Sequence, residues 1–270
     1  MREPFQQENH ESFLTIKKWQ EADPRLKAGF TTRNGGVSPD PFTTLNLGLH
    51  VSDEKEKVLT NRQMLAENLE MPLTNWAAGE QIHQTNVEKL SRSDRGRGST
   101  DHQQAIKGTD GFITKERGIL CTAFFADCVP LFFFDPETGF IGIAHAGWKG
   151  TVNRMAEQMV EKLTDEGVNL KSLLVCIGPC ISRGYYEVDE QVIRQIPAAD
   201  QEKVITVQGE GRFLLDLKQL NVEILLQAGV LRNNIDVTTY CTYREESLFF
   251  SHRRDKGKTG RMLGFIGYSR

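Results

Sequence analysis

Hydrophobic and polar positions divide the chain into a few helical stretches and many short, wholly apolar runs. Val152, Met155, Ala156, Met159, Val160 and Leu163 recur at three- and four-residue intervals before Gly167, which predicts a helix with one apolar stripe and a glycine stop. The same spacing predicts a helix after Asp216, with Leu217, Leu220, Ile224 and Leu225 inward. A third is predicted after Ser52 and Asp53, with Val58, Leu65 and Leu69 inward. Runs rich in aromatic and β-branched residues predict strands at 111–113, 121–125, 131–134, 140–144, 173–177, 235–240 and 263–268, with Gly139 marking a hairpin. Strands cluster instead of alternating with helices, so the expected fold class is α+β, with a mixed β-sheet packed by helices. No repeat, linker or shift of composition marks a boundary, and residues 1–270 are expected to form a single catalytic domain.

Composition narrows the partners. Apolar residues at 39% and charged residues at 26% lie near globular averages, so a buried core is expected. A net charge of -3 provides no basic footprint for nucleic acid or an anionic membrane, which leaves small molecules as the expected partners. The most apolar stretch, 119–134, is interrupted by Asp127 and Pro130 and is too short to span a bilayer. The first residues contain no apolar core of a secretory signal, and the five cysteines lack framework spacing; both fit a cytoplasmic protein with reduced thiols. A monomer is the default expectation. The basic loop Ser91 to Asp101 reads either as a flap over an anionic substrate or as a solvated connection.

Three segments place reactive groups in apolar surroundings at strand ends: Gln81-Ile82-His83-Gln84, Ala126-Asp127-Cys128-Val129-Pro130, and Ala144-His145-Ala146-Gly147-Trp148. Asp127 and Cys128 between flanking phenylalanine runs are costly to bury unless they are paired or placed at an opening, which predicts a cleft. A hairpin from Cys128 back to His145 would bring the two side chains to one sheet end. Two imidazoles and a thiolate suit zinc or copper and leave a fourth position open. Spacing alone is weak, because the chain has no CxxC and no HExxH; taken singly, a buried cysteine or a lone histidine is more often structural.

The ordered motifs carry further information. Thr31-Thr32-Arg33-Asn34-Gly35-Gly36-Val37-Ser38, Asn46-Leu47-Gly48, Gln81-Ile82-His83, Thr109-Asp110-Gly111, Ala126-Asp127-Cys128-Val129-Pro130, Ala144-His145-Ala146-Gly147-Trp148-Lys149-Gly150, Ile177-Gly178-Pro179-Cys180-Ile181 and Ser251-His252-Arg253-Arg254-Asp255 cover nearly the whole length. With them the chain resembles the family first called multicopper polyphenol oxidoreductases, or laccases, and later recognised as purine nucleoside phosphorylases with adenosine deaminase activity. The resemblance implies a single α+β domain and a zinc ion, with copper as the other metal, held by His83, Cys128 and His145. It implies phosphorolysis of adenosine, inosine and S-methyl-5′-thioadenosine, with purine nucleosides and phosphate as partners. Gln84 stands where many relatives have glycine or serine and Lys149 where many have arginine, which leaves nucleoside preference and phosphate contacts open.

Phosphorolysis requires an anion site beside the ribose, so Arg33, Asn46, Lys149, Arg253 and Arg254 are the candidate contacts to phosphate or nucleoside. Asp127 and Gln81 are expected just behind the ligands, with Asp127 orienting a ligand histidine or relaying a proton. His252 is either a substrate contact or a surface residue, and His10, His50 and His102 are assigned no role. Cys121, Cys176, Cys180 and Cys241 read as packing. Three rivals stay open: a copper-dependent polyphenol oxidase on the same residues, a metal-free thiol hydrolase with Cys128 as nucleophile and His145 as base, and a binding module without turnover.

Overall fold

The strand-forming runs assemble into two mixed sheets laid face to face in the computed structural model, which describes residues 3–8 and 10–269. With strands numbered in chain order, the first sheet runs β1 (Phe5–Gln7), β2 (Phe13–Ile16), β3 (Leu26–Thr31), β15 (Met262–Tyr268), β7 (Leu120–Phe125), β4 (Trp76–Ala78). The second runs β14 (Ile235–Val237), β10 (Leu174–Ile177), β8 (Val129–Phe134), β9 (Ile141–Ala146), β6 (Gly111–Thr114), β5 (Val87–Lys89). A small antiparallel sheet, β11 (Glu187–Asp189), β13 (Arg212–Leu215) and β12 (Ile205–Gly209), lies apart. The α-helices are α1 (Lys17–Ala22), α2 (Lys55–Asn68), α3 (Trp148–Val152), α4 (Met155–Asp165), α5 (Glu190–Ile193), α6 (Ala198–Val204) and α7 (Leu217–Gln227).

The layers follow from which residues share a core. Phe132, Phe134, Ile141 and Ile143 of the second sheet pack with Phe30, Phe125, Met262 and Ile266 of the first. The alternate residues Val129, Leu131 and Phe133 pack with Met155, Met159 and Leu163 of α4 and Leu220 and Ile224 of α7. Leu65 and Leu69 cover the outer side of the first sheet against Leu120, Phe124 and Phe265. Strands β7, β8, β9 and β15 are therefore buried throughout, which is why they read as continuous apolar runs instead of alternating ones. The α+β expectation is borne out, with the strands divided between two large mixed sheets and a small third one, because apolarity on both faces of a strand demands a layer on each side.

The predicted helices after Asp53 and Asp216 are present, and Asp216 caps its helix by accepting from the Gln219 N–H at 3.0 Å. The helix predicted across Val152 to Leu163 is instead broken into α3 and α4, because Arg154 takes a left-handed backbone with φ of 66°. Strands β1 to β3 are not among the predicted strands: β1 and β2 are short and pair with each other and with β3, and β3 joins the sheet through β15 at the far end of the chain.

Candidate metal centre and its cavity

Two of the three expected ligands sit where the chain leaves the first sheet for the second. His83 lies between β4 and β5, and Cys128 lies between β7 and β8. His145 is on β9, opposite Pro130 in the β8–β9 hairpin, and so stands beside Cys128. The ligand atoms of His83, Cys128 and His145 all lie within 4.8 Å of one another, and the two rings meet edge to face at 4.7 Å. Gly147 makes this approach possible: a Cβ there would lie 3.0 Å from Cys128 Sγ and 3.1 Å from His83 Cδ2.

Asp110 organises the group. The β6–β9 register places it next to His145, whose Nδ1 lies 2.8 Å from Asp110 Oδ1. The same carboxylate accepts the backbone N–H groups of Ile82, His83 and Gln84 at 3.0, 3.1 and 3.0 Å. Three successive N–H groups converge on one anion because His83 adopts a left-handed φ of 60°. One carboxylate therefore fixes both the loop that carries His83 and the ring of His145, and by occupying Nδ1 it leaves Nε2 to face Cys128 and His83. The sequence contained this signal in Thr109-Asp110-Gly111, an acid set directly before an apolar strand.

Electrostatics favour a charged pair. Burial pushes the Cys128 thiol up, but His145 and His83 outweigh it and bring it down to about 6. Burial likewise pushes His145 down, and Cys128 and Asp110 outweigh it, raising it to about 9. A thiolate and two imidazoles, one oriented by a carboxylate, form a donor set suited to zinc or copper. On donor chemistry and spacing the residues fit a single metal ion.

The trio opens onto a cavity of about 500 Å³. Trp148, Ile181, Tyr186 and Leu217 supply apolar wall, and His50, His102, His252, Arg253 and Arg261 supply polar wall. Five of the chain's six histidines line it, including His50 and His102, to which sequence reasoning assigned no role. They come from turns far apart in sequence, so no spacing could have grouped them. Arg261 and Tyr186 were missed for the same reason.

The other expected contacts divide. Arg253 lines the cavity, with its guanidinium 5.0 Å from the Tyr186 ring and donating to Glu187 O at 2.8 Å. Gln81 lines it too and holds Phe124 by bonding both its backbone groups, at 2.9 and 2.7 Å. Lys149 is exposed and points its ammonium toward the Trp148 ring, 5.6 Å away. Arg33, Asn46 and Arg254, also expected as substrate contacts, are not among the residues that line the cavity and serve as structural ties. Arg33 donates to Thr43 O and Glu246 O over the Phe250 ring, Asn46 bonds Asp53 and the backbone at Gly48 and Arg261, and Arg254 donates to Thr242 O, Tyr243 O and Phe249 O. Asp127 does not orient a histidine either. Its carboxylate accepts from Thr242 Oγ1, Ser251 Oγ and the Arg253 N–H at 2.6, 3.0 and 2.7 Å, anchoring the 251–253 turn beside Cys128. The loop Ser91 to Asp101 is no flap: Gly98 O and Ser99 O accept from the buried Arg62, and Asp101 precedes the turn that carries His102.

Comparison with known proteins agrees with these motifs. Residues 27–269 match the family model described as multi-copper polyphenol oxidoreductase laccase. The chain is 43% identical over 263 residues to purine nucleoside phosphorylase YlmD of Bacillus subtilis, covering 95% of this chain and 94% of that protein. It is 46% identical over 244 residues to purine nucleoside phosphorylase YlmD of Geobacillus stearothermophilus, covering 89% of each. Among solved structures, hypothetical protein YfiH of Bacillus licheniformis superposes with a TM-score of 0.94 at 41% identity, over 98% of this chain and 99% of that one. The crystal structure of YlmD from Geobacillus stearothermophilus superposes with a TM-score of 0.93 at 41% identity, over the full length of both. The chain belongs to the multi-copper polyphenol oxidoreductase laccase family.

Proposed function

We propose that this protein is a zinc-dependent purine nucleoside phosphorylase with adenosine deaminase activity. It would take adenosine, inosine and S-methyl-5′-thioadenosine and act as a cytoplasmic monomer in which one domain, residues 1–270, supplies the whole site. The observation that carries this reading is the enclosure of His83, Cys128 and His145 in a cavity of nucleoside size, in a chain whose relatives bear the phosphorylase name. The five unpaired cysteines support a reducing setting.

His83, Cys128 and His145 would hold the metal, which supplies Lewis acidity at the cavity wall. The chain's own residues do the rest. Trp148 and Tyr186 offer aromatic faces to a purine, and Ile181 and Leu217 exclude water around it. Asp110 holds the proton on Nδ1 of His145, fixing the tautomer through the cycle. In phosphorolysis the bond between the base nitrogen and C1′ breaks, an oxygen of hydrogen phosphate bonds C1′, and the phosphate's proton ends on the departing base, leaving ribose 1-phosphate as the second product. Positive side chains hold the phosphate anion and stabilise the negative charge that develops on the departing base.

A second reading has a specific observation behind it. Cys128, brought down to about 6 beside His145, has the chemistry of a thiol nucleophile and its base when no metal is present. The polyphenol oxidase reading is weaker, because the described residues contain one three-ligand cluster and oxygen reduction by several coppers needs more. The deciding experiment is chromatography of adenosine and inosine after incubation with metal-quantified protein, with and without phosphate, beside His83→Ala and Cys128→Ala. Phosphate-dependent release of free base, abolished in both variants, is the expected result. Stoichiometric zinc with no nucleoside turnover would reject the proposal and bring the oxidase and thiol readings forward.

A further inference from the structure

The cavity wall holds a second polar group besides the trio: His50, His102 and Arg261. Gly48 lets two of them meet, since a Cβ there would lie 2.8 Å from Arg261 Cγ and 3.3 Å from His50 Cε1. The His50 ring lies 5.7 Å from that of His102 and meets Phe124 edge-on at 5.8 Å. Arg261 Nη1 donates to Thr259 O and Gly260 O at 2.8 and 3.0 Å, which pins the guanidinium plane. Its Nε and Nη2 have no partner among the described residues, so half of the fork remains free to donate.

No lining carboxylate forms a direct ion pair with this group among the described residues, although Asp127 and the Cys128 thiolate attract Arg261 from farther off. Asp127, the one carboxylate in the lining, has both oxygens occupied by Thr242, Ser251 and the Arg253 N–H. Behind Phe124 stands a further cation: Arg62, 1% exposed, lies 4.7 Å from the ring centroid. Its donors go only to the carbonyls of Leu47, Gly98 and Ser99, and no carboxylate pairs with it among the described residues. A buried, unpaired guanidinium projects its field into the neighbouring cavity with little screening. Arg253, by contrast, is exposed and already engaged with Glu187 O and the Tyr186 ring.

We propose that His50, His102 and Arg261, backed by Arg62 through Phe124, form the subsite that binds inorganic phosphate. The inference rests on the phosphorylase reading and assigns that reaction's anion to residues outside the motif arginines. The free edge of Arg261 fits two phosphate oxygens, and each imidazole adds an N–H donor. Burial beside Arg261 and His102 holds His50 down to about 3, so its ring stays neutral and donates without adding charge.

The test titrates inorganic phosphate calorimetrically into the metal-loaded wild type, Arg261→Ala, Arg261→Lys, His102→Gln and Arg253→Ala, with metal content measured for each. Steady-state KM values for phosphate and inosine are measured in parallel. Loss of a charge-assisted hydrogen bond predicts that Kd and KM for phosphate rise about tenfold or more in Arg261→Ala, while KM for inosine changes little. Arg261→Lys should recover part of the loss, and His102→Gln should show a smaller loss. Unchanged phosphate affinity in variants that fold and keep their metal would overturn the assignment. So would a loss that appears only in Arg253→Ala. Phosphate binding that depends on Arg261 in an enzyme releasing no base would uphold the subsite and overturn the phosphorylase reading alone.

Discussion

Asp110 Oδ1 lies 2.8 Å from Nδ1 of His145, and the same carboxylate holds the loop of His83 by three backbone N–H groups. A side chain at a sheet crossing and one on β9 are thereby set by one buried residue outside the cavity lining. Burial pushes Asp110 up, but His145 and the N–H groups of Gln84 and Ile82 overcome it, so its pKa falls below the ordinary 3.8. With the folded value depressed, this stabilisation is complete above that ordinary value and is lost only as pH drops through the lower one.

Replacing Asp110 by Asn puts an amide N–H₂ where a charged acceptor stood. Zinc affinity should fall about 10- to 100-fold, as is usual when the partner of a ligating histidine is lost. Competition against a chromogenic chelator measures it, and an affinity equal to wild type would remove Asp110 from this role.

Thiol chemistry separates Cys128 from the rest. In metal-stripped protein its lowered pKa keeps the thiolate populated above about pH 6. Burial raises Cys121 and Cys180 to about 12 and Cys176 well above its usual range. Iodoacetamide at pH 7 should label one site, Cys128, with a rate that climbs through pH 6 and then levels off. Added zinc should protect it. Mass spectrometry identifies the labelled peptide, and a rate still rising steeply between pH 8 and 9 would contradict the ion pair with His145.

Arg62 is a structural cation as well as an electrostatic one. Arg62→Leu strands the carbonyls of Leu47, Gly98 and Ser99, which it now bonds from a fully buried position. Buried acceptors without partners cost about 1–3 kcal/mol each, so a loss of about 3 kcal/mol or more is expected in urea unfolding. A change under 1 kcal/mol would mean that the 98–99 loop rearranges to find other donors.

Sequence by itself determined the local elements whose signal is local. The apolar stripe of α4, the Asp216 cap, the turn at Gly139 and the wholly apolar strands are written in consecutive residues, and the α+β class follows from their order. The trio His83, Cys128 and His145 was legible as polar groups at strand ends, and the hairpin that joins two of them could be drawn from spacing. What only the tertiary structure decided is which distant turns meet. Two sheets rather than one, Asp110 in place of Asp127 as the partner of His145, and the gathering of His50, His102 and Arg261 all depend on sheet crossings between strands far apart in the chain. Arg33 and Arg254 look like anion binders in one dimension, yet backbone carbonyls of the folded chain take their donors, exposed ones for Arg33 and part-buried ones for Arg254. The physical reason is common to each case: periodicity reports which face of an element is buried, whereas the pairing of polar groups is settled by long-range register and by the demand that every buried donor and acceptor find a partner.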